Sequence, residues 1–290
     1  MEYTFSPATD FARLEAAVEG LCGPQAAPRQ LDRYRSVLRG LEETFGPCER
    51  AAVFSAPGRS EIGGNHTDHQ HGRVLAGSID LDVIAAVAPS GDGFIRIQSE
   101  GFPMDVVDLG DLEVRPQEYN TSAAIIRGIA AWFKRQGCPL EGFNACTTSS
   151  VFKGSGLSSS AAFEILVGSI INSLFFDGKC DSVRLAQIGQ YAENVYFGKP
   201  SGLLDQMGCS VGGMVTIDFQ DNANPVVERL DFDFAASGHA LCIIDSGADH
   251  ADLTDEYAAV PRELKEVCAH FGKNVLREVP IGRASCRERV

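Results

Sequence analysis

A glycine- and serine-rich stretch in the middle of the chain has the residue types that bind phosphate groups. Residues 151–162 read VFKGSGLSSSAA, so that two glycines permit a tight backbone path and three serines follow where a helix is predicted to begin. Backbone N–H groups at the start of a helix, together with the helix dipole, form a site for anions. The G-K-[ST] spacing of a Walker A loop is missing. A capped connection between a strand and a helix is the alternative interpretation.

A second stretch, residues 56–72, has side chains suited to a polyhydroxylated ligand. It reads APGRSEIGGNHTDHQHG and follows an apolar run that predicts a strand at residues 51–56. The polar side chains concentrated in it are those of Arg59, Glu61, Asn65, His66, Asp68 and His69. Carboxylate, amide and imidazole groups bind paired hydroxyl groups. Two alternatives stay open, a metal site built on the histidines and a plain solvated loop.

A third stretch, residues 198–213, contains one carboxylate among glycines and apolar residues. It reads GKPSGLLDQMGCSVGG, and the carboxylate is that of Asp205. An aspartate in such a place is most often a helix cap or a turn residue. A carboxylate in nearly uncharged surroundings is also typical of a reactive site, so both interpretations stay open for this stretch alone.

The elements that must position these stretches are predicted from periodicity and from turn residues. Apolar runs predict strands at residues 51–56, 74–88, 94–98, 104–109, 142–149, 214–219, 226–232 and 240–245. Helical spacing predicts helices at residues 10–46 (split by residues 23–28), 121–136, 159–176, 182–197 and 253–271. Because strands and helices are mixed without strict alternation, the pattern favours an α+β fold over a doubly wound sheet.

The composition argues against several classes of protein. The 290-residue chain is 44% hydrophobic and 22% charged, which is an ordinary globular balance. A formal net charge of -14 argues against a nucleic acid partner, which needs basic patches, but allows a nucleotide in a local pocket. We expect no membrane helix and no signal peptide, since neither pattern is visible. The nine cysteines stand singly, which predicts reduced thiols in a cytoplasmic protein.

Together the three stretches resemble the GHMP kinase superfamily and, within it, the galactokinase family. APGR…HTD in residues 56–68 resembles the galactokinase signature, and GSGLSSSA in residues 154–161 resembles the phosphate loop. The G-x-x-D-Q pattern of residues 202–206 is similar to the segment that holds the catalytic aspartate. Residues 254–257, TDEY, are similar to an S-E-Y segment whose tyrosine contacts the sugar. The resemblance extends over about residues 53–261.

The resemblance implies an α+β, GHMP kinase-like two-domain fold. Residues 1–213 are expected to form the N-terminal domain with the sugar and ATP site, and residues 214–280 part of a C-terminal domain. The implied activity is ATP-dependent phosphorylation of the anomeric hydroxyl of galactose or a galactose-like sugar, with Mg²⁺ as the metal ion. We expect a monomer that binds small molecules, with no nucleic acid and no membrane partner.

The resemblance also implies roles for individual residues. Asp205 corresponds to the catalytic aspartate at the reacting hydroxyl, and Arg59 to an arginine whose fixed charge keeps that aspartate ionised and offsets charge on the phosphoryl group. The implied sugar-binding residues are Asn65, His66, Asp68, Gly202 and Tyr257. The implied ATP-binding residues are Gly154, Ser155, Gly156, Leu157, Ser158, Ser159 and Ser160. The implied Mg²⁺ ligands are Ser160 and Glu193, with Ser159 as the alternative serine.

The sequence departs from the family pattern inside the sugar signature. Asn65 stands where the family usually has a glutamate, and Phe152 replaces the usual proline of the phosphate loop. An amide keeps one acceptor and adds donors, so a different hydroxyl pattern is compatible with the site. An amino sugar, a uronic acid or another small alcohol is therefore an alternative substrate. A non-catalytic protein that binds sugar and ATP, and a zinc hydrolase built on the histidine-rich loop, are further alternatives.

The end of the chain is unlike the rest of it. Residues 281–290 read IGRASCRERV, which is basic in an acidic chain and equals one translated frame of a widely used sequencing adapter. We therefore expect a non-native tail, with a natural basic tail as the alternative. We also expect the second domain to be incomplete, because the family pattern continues further, and the chain accordingly to have little kinase activity.

Overall fold

One mixed sheet organises the chain, and helices pack against both of its faces. The computed structural model describes residues 4–5, 11–48, 50–64, 67–152, 154–232, 234, 236–244 and 254–280. Its strands are β1 (Thr4–Phe5), β2 (Ala51–Gly63), β3 (Arg73–Pro89), β4 (Phe94–Ser99), β5 (Asp105–Asp108), β6 (Phe143–Ser149), β7 (Met214–Asp218) and β8 (Val226–Leu230). They run in the order β1-β2-β3-β6-β4-β5, while β7 pairs with the first part of β3 and β8 pairs with β7. Paired strands are antiparallel except for β4 and β6, which are parallel.

The helices connect the strands and carry two of the three motif stretches. The α-helices of the described residues are α1 (Phe11–Phe45), α2 (Ser122–Arg135), α3 (Ser159–Phe175), α4 (Ser182–Tyr191), α5 (Leu204–Val211) and α6 (Thr254–His270). A π-helical turn, Ala192–Phe197, follows α4, and a 3-10 turn, Asp68–Gln70, lies in the polar loop between β2 and β3. α1 is kinked at Gly23, where φ is 76°. A residue without a Cβ adopts that backbone conformation at little cost, so the helix divides there into two segments.

Alternating side chains of β2 separate two hydrophobic cores. Ala52 and Phe54 pack into the core formed with α2 and α3, whereas Ala51 and Val53 pack into the core beneath α1. This two-residue period is the one that a strand buried on both faces requires. A third cluster places α5 against the start of β3 and against β7, through residues such as Leu204, Met207 and Val215.

The C-terminal part of the described chain packs next to the polar loop. The side-chain oxygen of Gln70 accepts a hydrogen bond from the backbone N–H of Leu276 at 3.0 Å. Arg277 forms an ion pair with Asp218 of β7, and Arg73 of β3 contacts the same carboxylate at 2.7 Å. Residues separated by more than 200 positions are thus joined beside the loop that follows β2.

Most predicted elements are present, and the mixed arrangement confirms the α+β prediction. The predicted division of the first helical region by residues 23–28 is confirmed only at Gly23, since residues 24–28 are helical. The predicted strand at residues 240–245 is wrong for 240–244, and residue 245 lies outside the described residues. Leu241, Ile243 and Ile244 are exposed there and have no partner strand within the described part. Apolar alternation without such a partner leaves the backbone hydrogen bonds of a strand unmade.

The sheet continues across the predicted domain boundary. β7 begins at Met214, directly after the predicted boundary, and pairs with β3 over five residues from Arg73 to Gly77. The division into residues 1–213 and 214–280 therefore stays a prediction, as does the nature of residues 281–290, which lie outside the described residues.

None of the helices in the described residues combines the length and apolar character needed to cross a membrane.

Candidate active site

An arginine–aspartate pair lies at the junction of β2 and α5. Both Nε and Nη2 of Arg59 donate hydrogen bonds to Oδ1 of Asp205, at 3.0 and 2.6 Å. The Arg59 side chain is 8% exposed, whereas that of Asp205 is 42% exposed. The guanidinium is therefore fixed inside the protein as a permanent positive charge, and the carboxylate is open to a small molecule.

Local backbone features bring these two side chains together. The pairing of β2 with β3 is irregular between Pro57 and Arg59, and irregularities of this kind change the direction in which a side chain points. Gly208, three residues after Asp205 in α5, leaves room for the arginine. A Cβ atom at Gly208 would lie only 3.0 Å from Cβ of Arg59. The absence of a side chain at that position lets α5 approach β2 closely.

The glycine- and serine-rich loop is bonded to the same pair. Nη1 of Arg59 donates to the carbonyl oxygen of Gly156, and the Arg59 backbone N–H donates to that of Leu157 at 3.2 Å. The hydroxyl group of Ser158 donates to Oδ2 of Asp205 at 2.6 Å. Both carboxylate oxygens of Asp205 are thus hydrogen-bonded, one by β2 and the other by the loop before α3.

The backbone of this loop is strained at the point where the helix begins. Ser158 has a left-handed conformation, with φ 59° and ψ 52°, which is uncommon for a residue other than glycine. α3 starts at Ser159, so the backbone N–H groups of its first turn have no partner inside the helix. The Ser160 side chain is exposed and that of Ser159 is half-buried. An anion bound here would therefore meet both free N–H groups and hydroxyl groups.

Asp68 joins the polar loop to the start of α5. Its Oδ2 accepts a hydrogen bond from the Leu204 backbone N–H at 3.1 Å, and its Oδ1 accepts one from the His69 backbone N–H at 2.9 Å. Burial opposes ionisation of the carboxyl group, but hydrogen bonds from His69 and Leu204 outweigh it and lower the pKa of Asp68. Gly202 makes the contact possible, because a Cβ atom there would lie 1.7 Å from Oδ2 of Asp68.

Glu193 lies in a buried polar cluster behind the arginine–aspartate pair. Its Oε2 accepts a hydrogen bond from Nε2 of Gln206 at 2.9 Å, and its Oε1 lies 3.4 Å from Nζ of Lys199. The same Nε2 of Gln206 donates to Oε2 of Glu164 at 3.0 Å. Burial and, next, the charge of Glu193 raise the pKa of Glu164 well above its ordinary value. Both causes favour the neutral form of the Glu164 carboxyl group.

The structure brings together residues from all three predicted stretches. Arg59, Asp205 and the loop residues 156–158 are in direct contact, and Asp68 lies against Gly202 at the start of α5. Asn65 and His66 lie outside the described residues, and only the backbone of Tyr257 is described, within α6. Their predicted contacts with a sugar stay predictions, as do the predicted contacts with ATP and Mg²⁺.

Sequence reasoning missed three residues of the site. Gln206 bonds to both Glu193 and Glu164 in the interior, and Lys199 contacts Glu193 from the more exposed side. A signal for Glu164 was present, because it is the single charged residue in the otherwise apolar and neutral helix α3. Such a residue on a buried helix needs a polar partner, and that partner predicts a polar cluster. The contact of Lys199 has no comparable signal in the sequence.

Two segments of the chain match protein families. Residues 41–89 match the galactokinase galactose-binding signature, and residues 123–213 match the GHMP kinases N terminal domain. The first segment contains Arg59 and Asp68, and the second contains the glycine- and serine-rich loop and Asp205. Both matches coincide with the stretches that sequence reasoning selected.

Solved structures share the fold. The Lactococcus lactis galactokinase complexed with galactose superimposes with a TM-score of 0.66 at 24% identity, covering 81% of this chain and 60% of that one. The Methanococcus jannaschii mevalonate kinase has a TM-score of 0.56 at 16% identity, covering 77% of this chain and 73% of that one. At these identities the likeness concerns the fold. Fold and family matches together define the chain as a member of the GHMP kinase superfamily.

Within that superfamily the chain is related to the galactokinases. It is 32% identical to the galactokinase of Streptomyces coelicolor over 243 residues, which are 83% of this chain and 62% of that protein. It is 31% identical to the galactokinase of Homo sapiens over 268 residues, which are 88% of this chain and 65% of that protein. The chain thus spans less than two thirds of the length of these curated relatives.

Proposed function

We propose that the chain is a sugar kinase that transfers the γ-phosphoryl group of ATP to the anomeric hydroxyl of galactose or a galactose-like sugar. The observation that carries this proposal is the meeting of three stretches at Asp205. Arg59 of the sugar-signature stretch and Ser158 of the glycine- and serine-rich loop both bond to its carboxylate. The match of residues 41–89 to a galactose-binding signature supports a sugar as the acceptor.

Asp205 is the proposed acceptor of the hydroxyl proton. As the anomeric oxygen forms its bond to the γ-phosphorus, the bond from that phosphorus to the β–γ bridging oxygen breaks, and ADP leaves with the electron pair. The proton passes to the exposed Asp205 carboxylate, while Arg59 offsets negative charge nearby. Positioning and charge stabilisation supply most of the catalysis in phosphoryl transfer, and an arginine–aspartate pair can provide both effects.

The loop before α3 and the first turn of α3 are the proposed site of the ATP phosphates. Free backbone N–H groups at Ser159 and Ser160, with the dipole of a 17-residue helix behind them, favour an anion at this place. The residues proposed to contact ATP are Gly154, Ser155, Gly156, Leu157, Ser158, Ser159 and Ser160. The bond from Ser158 to Asp205 keeps these phosphates next to the proton acceptor.

Glu193 and Ser160 are the proposed protein ligands of a Mg²⁺ ion that accompanies ATP. One oxygen of the Glu193 carboxylate already faces a cation, the ammonium group of Lys199 at 3.4 Å. One carboxylate, one hydroxyl group and substrate phosphates fit Mg²⁺, which keeps several of its waters. When bound, the ion would neutralise phosphate charge. No three His, Cys, Asp or Glu side chains converge on a metal position within the described residues.

The identity of the sugar depends on residues around Asp68. Asp68 and Gly202 are the proposed sugar-side residues that the structure describes, together with Asn65, His66 and Tyr257 from the sequence. Galactose is the first proposal because of the signature match, and an amino sugar or a uronic acid is the second because Asn65 replaces a glutamate. A cytoplasmic location is proposed because the eight described cysteines are all free thiols. A monomer is proposed as well.

A coupled assay with the Asp205→Asn variant tests the reaction. The assay measures ADP release over galactose, its epimers and its amino and uronic derivatives, for the 290-residue chain and for any longer gene product that contains residues 1–280. An amide cannot take the proton, so we expect kcat to fall by about 10²- to 10⁴-fold. Sugar binding, measured by calorimetry, should change little because the amide is of equal size.

Asp177→Asn is the matched control, since Asp177 is an exposed aspartate paired with Lys179 away from the site. It should leave kcat and sugar binding unchanged. Near-normal turnover by Asp205→Asn would contradict the proposed mechanism. Sugar and ATP binding without turnover, in every form of the protein and with every sugar, would instead identify a non-catalytic binding protein.

A further inference from the structure

Three side chains form one hydrogen-bonded unit in the interior, next to the arginine–aspartate pair. Glu164 of α3, Glu193 of the π-helical turn and Gln206 of α5 are all buried. Nε2 of Gln206 lies 3.0 Å from Oε2 of Glu164 and 2.9 Å from Oε2 of Glu193. A side-chain amide nitrogen carries two hydrogen atoms, so this one group can donate to both carboxyl groups at the same time.

The chain makes room for this unit. A Cβ atom at Gly189 of α4 would lie 2.9 Å from Oε2 of Glu164 and 3.2 Å from Cγ of Gln206. Any larger residue at this position would displace one of the two side chains. The cluster is therefore fitted into a space that the neighbouring helix leaves open, with no spare volume on that side.

The unit keeps two polar atoms without hydrogen-bond partners. Oε1 of Glu164 and Oε1 of Gln206 are buried and unpaired within the described part of the chain. Unpaired buried polar atoms destabilise a fold, and an apolar side chain at either position would avoid the cost. The paired atoms account for keeping both side chains, because the Gln206 amide bonds to Glu193 and the Glu164 carboxyl group fixes that amide.

We propose that Gln206 is a positioning residue that fixes the carboxylate of Glu193 for a divalent cation, with Glu164 as the second anchor of the Gln206 amide. Gln206 holds Oε2 of Glu193, so Oε1 is directed to the exposed side, where the Lys199 ammonium lies. Gln206 also follows Asp205 directly in α5, so one short helix carries both the proposed proton acceptor and the group that orients the proposed metal ligand. The inference rests on the proposed function, since it takes Glu193 as a ligand of the ion that accompanies ATP.

The test compares nucleotide binding with and without the metal ion, and so does not depend on turnover. A non-hydrolysable ATP analogue is titrated into the protein by calorimetry in Mg²⁺ and in EDTA. The Kd in EDTA divided by the Kd in Mg²⁺ measures the contribution of the ion. Loss of a residue that orients a metal ligand usually weakens metal affinity by about 10–100-fold. We expect Gln206→Met to reduce that ratio to this extent and to leave the Kd in EDTA nearly unchanged.

Two further variants keep the test decisive if Gln206→Met folds poorly. Gln206→Asn keeps the amide but is one methylene shorter, so it cannot reach both carboxyl groups. We expect it to lower the ratio of the two Kd values about as much as Gln206→Met does. Glu164→Gln keeps an oxygen that can accept the hydrogen bond from Gln206 in a side chain of equal size, so this variant should retain most of the wild-type ratio. A complete loss in Glu164→Gln would show that a hydrogen-bond acceptor at this position is not sufficient, and would overturn the role of Glu164 as the second anchor of the Gln206 amide.

Asn172→Leu is the matched control for buried amide loss. Asn172 is a buried residue of α3 whose amide group bonds to the backbone of Cys180, near the opposite end of that helix from Ser159. It should lower the unfolding temperature without changing the Kd ratio. Equal ratios in Gln206→Met, Asn172→Leu and wild type would overturn the inference while leaving the kinase proposal intact. A wild-type protein that binds the analogue equally well in Mg²⁺ and EDTA would overturn both.

Discussion

Asp205 has hydrogen bonds on both carboxylate oxygens, and their donors come from distant parts of the chain. Arg59 precedes it by 146 positions and Ser158 by 47. Each of these residues was predicted from its own motif, because glycine-rich loops and signature patterns are local in sequence. The contacts of Glu193 were not predictable in the same way. They depend on how α3, α5 and the π-helical turn pack together, and no local pattern specifies that packing.

Lys199 competes with a divalent cation for Glu193, and its removal should lower the amount of metal ion required. Its ammonium group lies 3.4 Å from Oε1 of Glu193 and its side chain is 46% exposed. An ion pair of this exposure contributes at most about 1 kcal/mol, so Lys199→Met should lower the half-saturating Mg²⁺ concentration by up to about fivefold. The measurement is analogue affinity as a function of Mg²⁺ concentration.

Lys179→Met is the matched control, since Lys179 is an exposed lysine whose ion-pair partner is Asp177, away from Glu193. It should leave the Mg²⁺ requirement unchanged. A higher Mg²⁺ requirement in Lys199→Met would show that this lysine assists the bound nucleotide instead of competing with the ion, and would contradict the expectation.

α5 is the element on which the site depends most. Asp68 bonds to its first backbone N–H, Gly208 packs against Arg59, and Gln206 reaches back into the interior. The sequence showed only a glycine-rich stretch with one aspartate there. Eight residues between Gly202 and Gly212 are too few for a helical period to be visible, so the helix was missed while its neighbours α3 and α4 were predicted.

Gly202→Ala should loosen the start of α5 through Asp68. The new Cβ atom would lie 1.7 Å from Oδ2 of Asp68, so the carboxylate must move and release the Leu204 N–H. Loss of a cap of this kind costs about 0.5–2 kcal/mol, and we expect a lower unfolding temperature together with a lower kcat. The measurements are thermal unfolding and the coupled assay.

A double-mutant cycle separates this effect from direct contact with a substrate. With Asp68→Ala already present, adding Gly202→Ala should cost little further stability, because the clashing carboxylate is gone. Gly63→Ala is the control, since its Cβ atom would have an ordinary contact of 4.0 Å with Leu75. Fully additive stability losses in the cycle would refute the proposed coupling.

At the scale of the whole molecule, the polar loop is held between two parts of the chain. α5 holds it at Asp68, and residues after α6 hold it at Gln70. The strands and most helices of this arrangement were predictable from apolar periodicity, since each buries a regular face. The packing of residues 276–278 beside the loop was not, because its hydrogen bonds join polar groups that are common on any protein surface.

Asp218 makes this packing sensitive to acid. A hydrogen bond from Arg277, together with bonds from Arg73 and the Gln220 backbone, outweighs burial and holds the pKa of Asp218 far below its ordinary value. A carboxyl group whose pKa is lower in the folded state stabilises the fold at pH values above its unfolded pKa, about 3.9 for aspartate. That contribution is lost as the pH falls below this value, because Asp218 then becomes protonated in the unfolded state while it stays ionised in the folded state.

Asp218→Asn should therefore be less stable than wild type at neutral pH, and the difference should shrink as the pH falls below about 4. The measurement is the unfolding temperature of both proteins over that range, with the exposed Asp177→Asn as the control that should follow wild type throughout. A difference in unfolding temperature that is constant with pH would show that Asp218 stabilises the fold through its packing and not through its negative charge.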